Sequence, residues 1–205
     1  MAKLVYDRIN EKYSVNLDLD KMLWGSIAPD YLPYYKFKRH YLDESVDFIS
    51  KEIANLVYFS RYSFKENDDS FVFTSYVSKK LGIIMHYLCD YVCYPHAYRM
   101  TFMGNMKSHI KYEQELNIYA KENKLREEKY SNRISEKNID LYSELDIKLK
   151  EKVKSFILEV VEEYKNSEKG FDTDLDFALD FCTRICSFVI ESALVYDGNF
   201  DIQFV

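Results

Sequence analysis

Residues 71–94 read FVFTSYVSKKLGIIMHYLCDYVCY, and this stretch indicates the fold class of the chain. It is apolar on most sides, which is typical of a helix buried at the centre of a helical protein. Apolar residues at intervals of three and four lie before and after it and predict further helices. We predict these helices over about 39–60, 104–123, 140–166 and 172–196. The pattern favours an all-α protein with about six helices in a single domain covering residues 1–205.

The composition agrees with a helical globular protein. The chain has 205 residues, of which only five are glycine and three are proline. Such a low content of turn-forming residues disfavours β architectures, which need many tight turns. The formal net charge of −6 disfavours a stable nucleic-acid partner, because neutralising phosphates requires a basic surface.

The apolar stretches of the sequence are short. None reaches the roughly 18 to 20 residues that a membrane-spanning helix requires. The first twenty residues carry charges throughout and lack the apolar core of a signal peptide. We therefore expect no transmembrane segment and a cytoplasmic location.

The four cysteines fall in two pairs, Cys89 with Cys93 and Cys182 with Cys186. The spacing of four residues within a helix puts the Cα atoms of each pair near the upper limit for a disulfide. We expect free, mostly buried thiols in a reducing compartment.

Prolines interrupt the helical pattern at two places. Residues 24–34 contain Pro29 and Pro33, which predict that this segment is not a regular helix. Pro95 predicts a second break directly before His96. Stiff backbone outside the helices is a common location for functional residues.

Histidine is rare in the chain, and all four copies lie within one window of 70 residues. His86 and Asp90 are four residues apart in one predicted helix, and His109 and Glu113 repeat this spacing in the next. An imidazole and a carboxylate one turn apart can bind the same zinc ion without distorting the backbone. Taken alone, each pair is common on helix surfaces, and neighbouring Tyr and Met residues are explained by core packing. The joint pattern nevertheless favours metal binding, because each histidine lies beside a carboxylate at helical spacing or at a proline break.

The order of these residues resembles the ligand pattern of the zinc-dependent phospholipases C. Fungal single-strand nucleases of the same all-helical superfamily share that pattern. The matching positions, in chain order, are Asp30, His40, His86, Asp90, His96, His109 and Glu113. The resemblance covers residues 22–118 and extends to the words WGSIAPD, KFKRHYLDES and HIKYEQEL.

The resemblance implies a role for each matching position. A first zinc site would consist of Asp30, His40, His86 and Asp90. A second zinc site would consist of His96, His109 and Glu113, with Asp90 nearby as a bridge to a further metal. Asp30 matches the proposed general base, and Tyr31 and Phe37 match aromatic positions that line a choline pocket.

A third zinc site of the family has no complete counterpart in this chain. In the family an N-terminal tryptophan and an early histidine hold the third metal. Here the only tryptophan is Trp24, within the chain, and no histidine precedes His40. Three alternatives remain: the protein uses two metals, another group such as Asp7 substitutes, or activity is lost. Arg99 and Lys107 are candidates to replace the third metal at the leaving group.

The leading hypothesis is a zinc-dependent phosphodiester hydrolase of the phospholipase C type. Zinc-bound hydroxide would attack phosphorus, and the substrate would be a phospholipid or a soluble phosphodiester. Two zinc ions with three carboxylates would leave the site with a charge of about +1, which suits an anionic phosphodiester. Two alternatives are a nuclease or nucleotidase on the same metal framework, and a metal-binding domain with little activity.

Overall fold

A computed structural model describes residues 1–63, 70–100, 106–122 and 148–201. The described residues form eight α-helices and contain no strand, which confirms the all-α prediction. A 3₁₀ turn over Tyr35–Phe37 lies between the second and third helices. The helices are α1 Ala2–Tyr13, α2 Leu19–Tyr31, α3 Leu42–Ser63, α4 Ser70–Tyr91, α5 Tyr94–Ala97, α6 Met106–Glu122, α7 Leu149–Lys165 and α8 Phe171–Asp201.

The eight described helices exceed the predicted count of about six, of which five had predicted bounds. The segments predicted over 39–60 and 71–94 correspond to α3 and α4, and the later ones to α6, α7 and α8. The additional helices are α1, α2 and the single turn α5. Residues 104, 105, 123 and 140–147, which the predicted helices included, lie outside the described residues.

One cluster of buried apolar side chains holds the helices together. Helix α2 packs on α4, α3 packs on α7 and α8, and α1 packs on α8. The predicted central helix α4 contributes Leu81, Ile84 and Tyr87, none of which is accessible to solvent. Removing this apolar surface from water is the main source of stability. Helix α6 differs, because His109 is its only buried residue.

The structure corrects the prediction for residues 24–34. Residues up to Tyr31 belong to α2, and Pro29 lies inside the last turn of that helix. The ring of Pro29 removes the backbone hydrogen bond to the carbonyl of Gly25, and the helix ends two residues later. Pro33 provides the actual stop, because the residue before a proline favours extended backbone. Leu32 has that conformation, with φ −85° and ψ 129°.

Two glycines allow α2 and α4 to approach closely. A Cβ atom on Gly25 would collide with the backbone carbonyl of Lys79, and one on Gly82 would collide with that of Met22. Both residues therefore have to lack a side chain where the two helices cross. The crossing brings the C-terminal half of α2 beside the C-terminal half of α4.

The other predictions about local structure concern Pro95 and the cysteines. Helix α4 ends at Tyr91, and Pro95 lies in the first turn of α5, so the predicted break is present. All four cysteines are free, and Cys182 and Cys186 are buried. The thiol nearest to Cys182 is that of Cys89, with 3.7 Å between the two sulfur atoms.

A search of the described helices for membrane spans gave none that is long and apolar enough to cross a bilayer.

Candidate metal centre

Three segments bring the first group of candidate ligands together. Asp30 lies in the last turn of α2, and His40 lies two residues before α3 begins. His86 and Asp90 project from one face of α4, as their spacing predicts. Asp30, His40 and His86 each offer one ligand atom, and these atoms all lie within 4.8 Å of one another.

The distances in this group suit a tetrahedral metal ion. His86 Nε2 lies 3.2 Å from His40 Nδ1, and Asp30 Oδ1 lies 3.6 and 3.9 Å from these two nitrogens. Asp90 Oδ2 lies 3.0 Å from His40 Nδ1 and 3.4 Å from His86 Nε2. Four ligands at about 2.0–2.1 Å from one zinc ion lie about 3.3 Å from each other in a tetrahedron. The five separations, 3.0–3.9 Å, are close to that value.

Asp90 faces both groups of candidate ligands. Its Oδ2 atom is buried and accepts no hydrogen bond from the described residues, although two imidazole nitrogens lie nearby. A buried carboxylate oxygen without a hydrogen bond is costly unless a cation satisfies it. Its other oxygen, Oδ1, lies 3.8 Å from His96 Nε2 in the second group.

The second group consists of His96, His109 and Glu113. His96 lies in α5, directly after the proline break, and the other two lie one turn apart on α6. Glu113 Oε1 lies 3.0 Å from His96 Nε2 and 2.8 Å from His109 Nε2. The two imidazole rings pack edge to face, with their centroids 4.6 Å apart.

Backbone carbonyls orient two of the imidazoles. His86 Nδ1 donates a hydrogen bond to the backbone oxygen of Ser26 at 2.9 Å, which leaves the lone pair on Nε2 free for a metal. The hydroxyl of Tyr87 donates to the backbone oxygen of Lys38 at 3.1 Å and holds the chain just before His40 against α4. Sequence reasoning missed both contacts, because a carbonyl acceptor is present at every residue and has no sequence signal. The sequence did contain one signal, which is Gly82, one turn before His86. An isolated glycine within an apolar helix indicates that another helix packs closely against it.

The nearby histidines favour the ionised form of Asp90 and of Glu113. Burial opposes the charged form of Asp90, but the nearby histidines, His96 above all, hold its pKa below the usual value. Burial likewise opposes ionisation of Glu113, and hydrogen bonds from His96 and His109 lower its pKa. Burial also opposes the charged form of His96, yet Asp90 and Glu113 together raise its pKa. The site thus has a strong negative field that attracts protons and cations alike.

A cavity of about 190 Å³ opens onto both groups of ligands. His40, Asp90 and His96 line it, together with Arg99 and Lys165. The guanidinium of Arg99 pairs with Asp43 and Glu44 and lies 4.7 Å from the ring centre of Tyr41. Arg99 has a positive φ of 52°, an uncommon backbone conformation that recurs at functional sites.

The remaining predicted residues lie around the site. Tyr31 and Phe37 are 69% and 89% exposed, so neither is enclosed in a pocket. Lys107 is an exposed residue of the first turn of α6. Asp7 pairs with Lys3 on α1 at 2.7 Å and belongs to neither ligand group.

The donor set fits zinc better than harder cations. Each group combines imidazole nitrogens with carboxylate oxygens, which zinc prefers, whereas calcium and magnesium prefer oxygen ligands alone. The second group offers three protein ligands, which leaves a position for water or substrate, as catalytic zinc sites require.

A comparison with protein families identifies the chain's relatives. The family model described as zinc dependent phospholipase C matches residues 1–163. The chain belongs to this family. The match spans both ligand groups and confirms the resemblance predicted from the sequence. None of the curated proteins and none of the solved structures compared with the chain matches it. Membership of the zinc-dependent phospholipase C family supports a zinc-dependent function on phosphodiesters.

Proposed function

We propose that this protein hydrolyses phosphodiesters of phospholipids with two zinc ions, one in each group of ligands, and that the whole chain forms a single domain. The observation that carries this proposal is the position of Asp90 between the groups. Its Oδ2 atom lies beside His40 and His86, and its Oδ1 atom faces His96. Asp90 completes the first site and links it to the second.

The residues of the site have separate tasks in this reaction. When bound, zinc supplies a Lewis acid that lowers the pKa of water towards about 7 and neutralises phosphoryl oxygens. Asp30 is the proposed general base, because one oxygen faces the histidines while 58% of its side chain remains exposed to solvent. It can therefore take a proton from the attacking water and release it to bulk solvent.

The charges around the cavity favour an anionic substrate. Two zinc ions with Asp30, Asp90 and Glu113 would leave the centre about one positive charge in excess. Arg99 and Lys165 add two cationic groups to the same cavity, and Asp43, which pairs with Arg99, adds one anionic group. Arg99 is therefore the better candidate to stabilise the leaving group, and Lys107 lies outside the residues that line the cavity.

An exposed apolar surface beside Asp30 favours a lipid as substrate. On α2 the side chains Leu23, Trp24, Ile27 and Tyr31, which we call the α2 apolar face, are 39–69% exposed. They recur at helical spacing on the side opposite the buried Met22, Gly25 and Ala28. Trp and Tyr are the side chains that favour the boundary between water and a bilayer. Docking of this face on a membrane would bring Asp30 close to the phospholipid headgroups.

Turnover of three substrates tests the proposal. We expect zinc-loaded protein to hydrolyse a phosphatidylcholine and a soluble phosphorylcholine ester, and to leave single-stranded DNA intact. Hydrolysis of DNA alone would indicate the nuclease alternative. Two bound zinc ions without turnover of any of the three would indicate a metal-binding domain that is not an enzyme.

Tyr31 and Phe37 are the proposed contacts for a choline group, since aromatic rings attract quaternary ammonium ions.

A further inference from the structure

Asp174 is a buried carboxylate that lies outside both groups of candidate ligands. It is 2% exposed and belongs to the first turn of α8. Its Oδ2 atom accepts hydrogen bonds from the backbone N–H of Tyr94 at 3.1 Å and from the hydroxyl of Tyr112 at 2.8 Å. Its Oδ1 atom accepts a hydrogen bond from the hydroxyl of Tyr164 at 2.7 Å. Within the described part of the chain, the hydrogen bonds to this carboxylate thus come from three different helices.

Two of the three donors lie directly beside candidate zinc ligands. Tyr94 begins α5 and precedes His96 by two residues. Tyr112 precedes Glu113 on α6. A single oxygen of Asp174 therefore joins the segment that contributes His96 to the segment that contributes Glu113. In the sequence, the first segment precedes residues 101–105 and the second follows them. Tyr164, the third donor, belongs to α7, which contributes no candidate ligand.

Aromatic packing reinforces this connection. The ring of Tyr112 lies 5.6 Å from that of Tyr94 and 4.9 Å from that of Phe171, measured between centroids. Helix α6 has only one buried residue, His109, and its other core contacts come from the partly buried Leu116, Tyr119 and Ala120. The distance between His96 and Glu113 consequently depends on how α5 and α6 are held, and Asp174 holds both.

We propose that Asp174 is a positioning residue for the second zinc site. It fixes α5 against α6 so that His96, His109 and Glu113 converge on one ion before the metal binds. Outer residues that orient metal ligands typically contribute 10–100-fold in metal affinity. The inference rests on the proposed function, because it requires that this group binds zinc.

Three conservative variants separate positioning from general stability. Asp174→Asn keeps the shape of the side chain but removes its negative charge and leaves one acceptor oxygen for three donors. Tyr112→Phe removes only the hydrogen bond from α6 to Asp174. Tyr164→Phe is the matched control, since it removes a hydrogen bond of similar length to the same carboxylate from a helix without ligands. Each variant is combined with His86→Ala, so that the remaining zinc reports on the second site alone.

The readout is zinc affinity, measured by competition with a chelator, with thermal unfolding as a check of folding. We expect Asp174→Asn and Tyr112→Phe to weaken zinc binding about 10–100-fold, and Tyr164→Phe to change it less than about threefold. Parental affinity in Asp174→Asn and Tyr112→Phe would overturn the inference and leave the proposed function intact. Equal losses in Tyr112→Phe and Tyr164→Phe would also overturn it, because Asp174 would then act through stability. Absence of zinc from the parent protein would overturn the proposed function and this inference together.

Discussion

Asp90 Oδ2 lies 3.0 Å from His40 Nδ1, yet it is a buried oxygen without a hydrogen bond among the described residues. The two residues come from different segments, because Asp90 lies on α4 and His40 lies in the chain before α3. A bound cation would satisfy the oxygen and both neighbouring imidazoles. Much of the proposed metal centre depends on this relationship.

Replacement of Asp90 tests that relationship. Asp90→Asn keeps the volume of the side chain but removes the negative charge between the two groups. We expect zinc affinity at the first site to fall at least about tenfold, as loss of a charged ligand should cost no less than loss of an outer partner. Isothermal titration with zinc measures this change.

The control for this experiment is Asp47→Asn, which alters an exposed carboxylate of α3 that pairs with Lys150 and Lys154. Its zinc affinity should equal that of the parent. Unchanged affinity in Asp90→Asn would show that Asp90 is not a ligand.

The sequence patterns predicted the central helix and the shared face of its candidate ligands, because both depend on local spacing. A period of 3.6 residues is enough to place His86 and Asp90 on one face of α4. The prediction for residues 24–34 was wrong because it treated Pro29 as a break, whereas α2 continues through Pro29 to Tyr31.

Long-range contacts explain what the sequence could not predict. The hydrogen bonds of Asp174 join residues up to 80 positions apart, and one of its three donors is a backbone N–H. The other two donors are hydroxyls of tyrosines. The chain has nineteen tyrosines, and the sequence does not show which of them bind Asp174. Such a cluster becomes visible only when the helices are assembled.

The crossing of α2 and α4 predicts a strong effect of a single methyl group. In Gly82→Ala the added Cβ meets the carbonyl of Met22, so α2 must move away from α4. We expect the free energy of unfolding to fall by about 1–3 kcal/mol, as is usual for overpacking. The first zinc should also bind more weakly, because Asp30 and the carbonyl of Ser26 move with α2. Urea unfolding and zinc titration measure the two effects.

Gly170→Ala is the matched control for this substitution, because a Cβ atom there has no neighbour within 4 Å. Stability of Gly82→Ala equal to that of the parent would contradict the close packing of the two helices.

Zinc binding at the second site should depend on pH in a defined direction. Asp90 and Glu113 raise the pKa of His96 above its ordinary value of 6.5, despite its burial. Zinc must displace the proton from this imidazole, so apparent affinity falls as the pH drops through the raised pKa. The expected slope is about tenfold per pH unit for one displaced proton, and it levels off at higher pH. Zinc titrations of His86→Ala between pH 5.5 and 8.5 measure this slope, and a flat profile would contradict it.

We expect the α2 apolar face to increase turnover of phospholipids in membranes more than turnover of soluble esters. Trp24→Ala removes the largest side chain of that face, which is 42% exposed. We expect the ratio of turnover on phosphatidylcholine vesicles to turnover on a monomeric short-chain analogue to fall about tenfold, reflecting lost apolar burial in the bilayer. Leu158→Ala, which alters an exposed apolar residue of α7, is the control and should keep the parental ratio. An unchanged ratio in Trp24→Ala would favour a soluble phosphodiester as substrate.

The most direct test of the metal centre is the zinc content of protein purified after expression with ample zinc. Elemental analysis should find two zinc ions per chain in the parent protein. It should find one in His86→Ala and one in His109→Ala, because each substitution removes a ligand from one group only. Less than one zinc per chain in the parent, or two in either variant, would contradict the proposed centre.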